Sequence, residues 1–146
     1  MSMSNASETA LALLIFNNTN FADVGDATGL RGSSTAGSFY IRLHTADPGE
    51  AGTGATNEVA YTSYAAVAVA RSGAGFTVSG DTVSNTALVQ FPQCTGGSAT
   101  ATHFSICLAG SGTAVIMASG ALASSLAISN GIQPQFAANA LQAVFQ

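Results

Sequence analysis

Lysine is absent from this 146-residue sequence, and so is tryptophan. The cations are Arg31, Arg42 and Arg71, set against seven carboxylates, for a net charge of −4. So few cations cannot neutralise a row of phosphates, which excludes general nucleic-acid binding. Charged residues make up 7% of the chain, where an ordinary globular domain carries roughly 25%. Cysteine is limited to Cys94 and Cys107. Two do not make a disulfide framework, and a pair of reduced thiols in a chain that matures in a cytosol is expected. Long apolar runs are missing as well. Leu11–Phe16 and Ala65–Ala70 fall far short of the ~20 residues a bilayer span needs, so no membrane partner is expected. No Arg precedes Arg31, and Glu8 stands ahead of the first apolar run, which makes a poor secretory leader.

What is present is small and neutral. Ala, Ser, Gly and Thr supply 28, 17, 16 and 15 residues, about half the chain. The hydrophobic fraction of 47% rules out disorder and suits one domain with a core. From Ser72 to Gln146 the only formal charge is Asp81. That half must face water with hydroxyls and amides, which protect poorly against association. Burial against other copies, as a dimer or trimer, is the expected remedy.

Residues 1–22 read as a helical arm. Asn5 suits an N-cap with Glu8 three residues on, as in a capping box. Ala6, Ala10, Leu13 and Leu14 follow helical spacing, with Leu11 and Phe16 widening the stripe. Residues 23–38 hold four glycines and few large apolar side chains, so they form a loop. From residue 39 to 146 the period is two. Phe39, Ile41 and Leu43 alternate with Tyr40, Arg42 and His44, a half-buried strand. Asp47-Pro48-Gly49 is a turn. Gly80-Asp81 suits a two-residue type II′ hairpin returning through Val83. Ala87–Phe91, Thr102–Leu108, Ala114–Ala118, Leu126–Ile128, Ile132–Phe136 and Leu141–Phe145 follow as short runs broken by glycine or proline. About eight to ten short strands behind one helix mean a mainly β chain. The expected fold is an antiparallel β-sandwich or jelly roll with a short N-terminal helix.

Catalytic and metal chemistry find little support. His103 and Cys107 share a strand face, but four strand residues separate their Cβ atoms by about 13 Å. Zinc bonds of ~2.0–2.3 Å cannot bridge that span. His44 and Asp47 flank a tight turn and could form half of a hydrolytic triad, yet no G-x-S-x-G elbow supplies a nucleophile. Asp23 and Asp26 lack a calcium-loop pattern. Sugar platforms need exposed aromatics; Tyr40 is the outward-facing candidate and Tyr61 reads as core. No catalytic residue, metal or cofactor is expected. The candidate interface residues are Leu11, Leu14, Ile15 and Phe16 on the arm, with Tyr40 and Arg42 on the first strand.

Several stretches carry a resemblance. They are Leu43-His44-Thr45-Ala46-Asp47-Pro48-Gly49-Glu50-Ala51-Gly52-Thr53, Asn57-Glu58-Val59, Tyr64-Ala65, and Val67-Ala68-Val69-Ala70-Arg71-Ser72. Phe91-Pro92, Thr95 to Phe104, and the end from Ser119-Gly120-Ala121-Leu122 to Phe136-Ala137-Ala138 join them. Together they resemble a family of small tailed-phage virion structural proteins often labelled tail fibre. Ala66 stands where the family pattern has Arg, and Phe76 where it has Trp. The resemblance implies a virion component. Size, low charge and the lack of a fibrous repeat make a capsid decoration (cement) protein on the head surface the first expectation. Its partners would be the major capsid protein and copies of itself. The alternatives are a tail or tail-fibre component, which could bind carbohydrate, and a hydrolase using His44 and Asp47.

Overall fold

Ser4 starts an N-terminal helix, and the side chain of Ser4 accepts from the Ser7 N–H at 3.3 Å. The cap therefore lies one residue before the expected Asn5, because a hydroxyl at position 4 already meets the free N–H groups of the first turn. In this computed structural model, which describes residues 3–144, helix α1 spans Asn5–Asn17. Its buried face is Glu8, Ala12 and Phe16, spaced by four. Leu11, Leu13, Leu14 and Ile15 are half-buried. The expected stripe through Ala6, Ala10, Leu13 and Leu14 is thus rotated: a helix apolar on nearly every side lets its largest ring choose the core face.

Among the described residues nine strands follow: β1 Ser38–His44, β2 Val67–Ala70, β3 Phe76–Ser79, β4 Thr82–Asn85, β5 Val89–Gln90, β6 Ser98–Cys107, β7 Ile116–Ser129, β8 Gln135–Phe136 and β9 Gln142–Val144. The chain is mainly β and antiparallel with one N-terminal helix, as expected. These strands form sheets ordered β2-β1-β6-β7, β3-β4-β9 and β5-β8. Of the expected last strand, Phe145 lies outside the described residues. Residues 116–129 make one long bulged strand and not the two interrupted runs expected. Gly120 sits inside it opposite Phe104, its missing side chain leaving room for that ring, so here glycine packs and does not terminate.

The chain divides into two compact units, each assembled from separated segments. Of the described residues, the first holds 3–38, 70–88 and 136–144. Here α1 packs on β3 and β4, and Phe16 meets Phe76 edge to face at 5.1 Å. The helix has no cation in its last turn. Arg71 supplies one: its Nη2 donates to the Leu14 carbonyl at 2.7 Å, and its Nε to that of Ile15. Carbonyls left free at a helix C-terminus, and the negative end of the dipole, make this a favourable place for a guanidinium. Asn18 closes the helix at φ 57° and exchanges two hydrogen bonds with the Ser33 backbone, which ties down the glycine-rich segment. Asn85, fully buried, donates to the Ala87 and Ala137 carbonyls and accepts from Leu141 N–H.

The second unit holds residues 39–69 and 89–135. Its core gathers Ile41, Leu43, Val59, Tyr61, Phe91, Ala101, Phe104, Ile106 and Ile128. The turn motifs fold as expected. Asp47 Oδ1 accepts from Gly49 N–H at 2.8 Å. In the first unit, Ser79 pairs with Thr82 around Gly80-Asp81.

Candidate functional site

β1 departs from the expected half-buried strand. Ile41, Arg42, Leu43 and His44 are all buried, so side chains on both faces of β1 are covered, while its two edges are paired by β2 and β6. Its polar residues therefore need partners inside the protein.

Arg42 is the largest fully buried side chain, 1% exposed. Its Nη1 donates to the Gly112 carbonyl at 2.9 Å. Its Nε lies 3.1 Å from Glu58 Oε1 in an ion pair, although the N–H does not point at that oxygen. Gly54 makes room: a Cβ there would stand 1.9 Å from Arg42 Nη1. Burial raises the pKa of Glu58, and the Arg42 charge only partly offsets this. The Tyr64 hydroxyl accepts from the Leu43 N–H at 3.0 Å and also interacts with Glu58. Burial raises the Tyr64 pKa well above that of a free phenol. The Tyr64 ring stacks on Phe91 at 6.2 Å.

His44 forms the second part of the row. Its Nδ1 lies 2.8 Å from the Thr56 carbonyl and its Nε2 lies 2.7 Å from Ser105 Oγ. A carbonyl only accepts, so Nδ1 carries the proton and Ser105 donates to Nε2. Ser105 Oγ in turn lies 3.2 Å from Cys107 Sγ. Ser–His contact is the geometry of an activated nucleophile, but both residues are fully buried. The third member of a triad is replaced by a backbone carbonyl. Asp47 instead holds its own turn through Gly49. His103, the other histidine, bonds Thr102 Oγ1 at 2.8 Å. Among the described residues, no three His, Cys, Asp or Glu side chains gather as a metal site would need.

Burial lowers the pKa of His44, the Thr56 bond opposing it. The unfolded chain then binds the proton more readily than the folded one. Stability is full above the ordinary value of 6.5 and falls as the pH drops below it, until the folded pKa is reached. The slope is at most about 1.4 kcal/mol per pH unit. Denaturant titrations at pH 7.5, 6 and 5 are expected to show this loss, and His44→Asn to remove its share of the slope. An unchanged slope in the variant would place the proton uptake elsewhere.

The expected interface residues separate. Phe16 and Arg42 are buried within the chain and offer no surface. Their apolar ring and paired charge are satisfied internally, which corrects the interface reading for both. Leu11, Leu14 and Ile15 are half-buried on α1. Tyr40 is half-buried, with Gly110 lying against its ring, where an added Cβ would come within 2.7 Å. Tyr61 is core, as expected, and donates to the Pro92 carbonyl at 2.8 Å. The Arg42–Glu58 and His44–Ser105 pairings escape sequence reading because 16 and 61 positions separate the partners.

The family model described as "Podophage GP4 fiber I protein gp80" matches residues 2–144. No curated protein matches the chain.

Proposed function

The chain belongs to the family of podophage GP4 fiber I protein gp80, and on that premise we propose that it serves as a non-enzymatic structural subunit of the virion's tail-associated fibres. The observation that carries this reading is the family match, which spans residues 2–144. The protein is a phage virion structural protein. Within that class the fibre reading displaces the capsid decoration first expected from size and charge, since neither property separates head from tail.

The physical character of the chain supports a structural role. The ionisable residues in the second unit's core, Arg42 and His44, are buried and occupied by neighbours. Only Asp81 carries charge after Arg71, a surface suited to permanent contacts and not to charged ligands. Self-association and attachment to other virion proteins follow as its work.

Quantitative mass spectrometry of purified virions, with antibody labelling by electron microscopy, tests the reading. Label at the tail with roughly dozens of copies, a symmetric multiple of a fibre subunit, is the expected result. Label spread over the head in hundreds of copies would return the decoration reading. Absence from virions would end both.

A further inference from the structure

Strand β7 closes one side of the four-stranded sheet, and among the described residues it pairs only with β6. The N–H and C=O groups along its outer side are a template for another strand. The opposite side of the sheet is blunted: β2 has four residues and Arg71 follows it. β7 has fourteen residues and contains no Lys, Arg, Asp, Glu or Pro. Ile116, Ala118, Leu122 and Leu126 are each only half-buried, and Ile128 alone is buried. Such a row is half covered because no strand stands beyond it. Large exposed apolar residues collect at the same end: Val115 at 60%, Leu108 at 50% and Met117 at 39%. The first two are tied by a bond from Leu108 N–H to the Val115 carbonyl at 3.0 Å.

We propose that β7 is a contact between copies of this chain, in which two β7 strands pair antiparallel about a two-fold axis through Ala118–Ala121. The occupant must be an extended strand, since only that matches the unpaired backbone groups. It must also be neutral, because a charge laid beside Val115, Ile116 and Leu122 would lose water without gaining a counter-ion. A second β7 meets both conditions. An isologous contact also sets the half-covered row beside its own copy. The register narrows the site. Met117 is an extra residue opposite Ile106–Cys107, and residues 122–125 are surplus opposite Thr102. These bulges bend the strand at both ends, leaving Ala118–Ala121 as the regular stretch, paired residue for residue with His103–Ile106. The inference rests on this edge alone and not on the fibre assignment.

Sedimentation of the full chain, with variants on the exposed residues Ser119 and Ala121, provides the test. Wild type is expected to associate. The double variant Ser119→Lys/Ala121→Lys sets like charges across the axis. It is expected to raise the dissociation constant about 100-fold or more while leaving thermal unfolding of the monomer unchanged. Oxidised Ser119→Cys is expected to give a covalent dimer. Ser79→Cys, exposed on β3, is not; Cys94 and Cys107 are buried and do not interfere. A wild type that stays monomeric at high concentration overturns the proposal, as does a lysine variant that folds and still associates. If the lysine variant does not fold, the cysteine pair decides. Monomeric protein found in virion fibres would sink this contact and spare the fibre reading; self-association without virion incorporation would do the reverse.

Discussion

Glu58→Leu is expected to lower the unfolding free energy by about 3–5 kcal/mol, the range for breaking a buried ion pair from one side. Arg42 would keep its charge at 1% exposure with Gly112 as its remaining hydrogen-bond acceptor. Tyr64, which also interacts with Glu58, would lose that partner. The reverse variant, Arg42→Met, costs less, because Glu58 is 21% exposed and reaches solvent. The double variant Arg42→Met/Glu58→Leu is expected to lie within about 1–2 kcal/mol of wild type, since two desolvated charges vanish together. Equilibrium unfolding of the three variants and wild type gives the coupling energy directly. A single Glu58→Leu costing no more than the double would mean that the pair holds nothing together. The raised pKa of Glu58 gives its carboxyl the opposite pH slope to His44. The folded state takes up that proton more readily, so the Glu58 contribution grows as the pH falls through its folded pKa. Comparing Glu58→Gln with His44→Asn separates the two slopes.

The second large effect is Phe16→Ala, expected to cost about 3–5 kcal/mol as a buried aromatic truncation. The edge-to-face contact with Phe76 adds about 0.5–1.5 kcal/mol to what area alone supplies. Leu14→Ala, on the half-buried side of the same helix, is expected to cost less than half as much in the isolated chain. Chemical denaturation reads both. Equal losses would mean that α1 has no preferred core face. The contrast also bears on assembly: Phe16 acts through folding, so its loss would lower virion incorporation only by lowering the amount of folded protein.

Local features were legible where the physics is local. Asp47-Pro48-Gly49 and Gly80-Asp81 fold as turns because proline and positive-φ glycine restrict the backbone at single residues. The mainly β class followed from period-two alternation after residue 38, and α1 from helical spacing before residue 17. The helix start slipped by one residue because Ser4 and Asn5 are both competent caps. The core face of α1 was not legible, since apolar side chains line it on nearly every side and its packing on β3 and β4, Phe76 included, decides which one is buried. Arg42 and His44 look solvent-facing on an alternating strand. They are interior because both faces of β1 are covered, and Glu58 and Ser105, remote in sequence, supply their partners.

The sequence by itself determined that this protein is nearly uncharged after Arg71 and holds no long apolar run, and its period-two alternation made it β-rich, because charge, run length and local period are properties of the chain that no fold can change. Tertiary structure alone decided that Arg71 caps a helix ended more than fifty residues earlier, that Arg42 and His44 are interior, and that β7, among the described residues, pairs on one side with β6. Each of those depends on which distant segment lies alongside, and pairing energies between remote segments leave no mark on local periodicity.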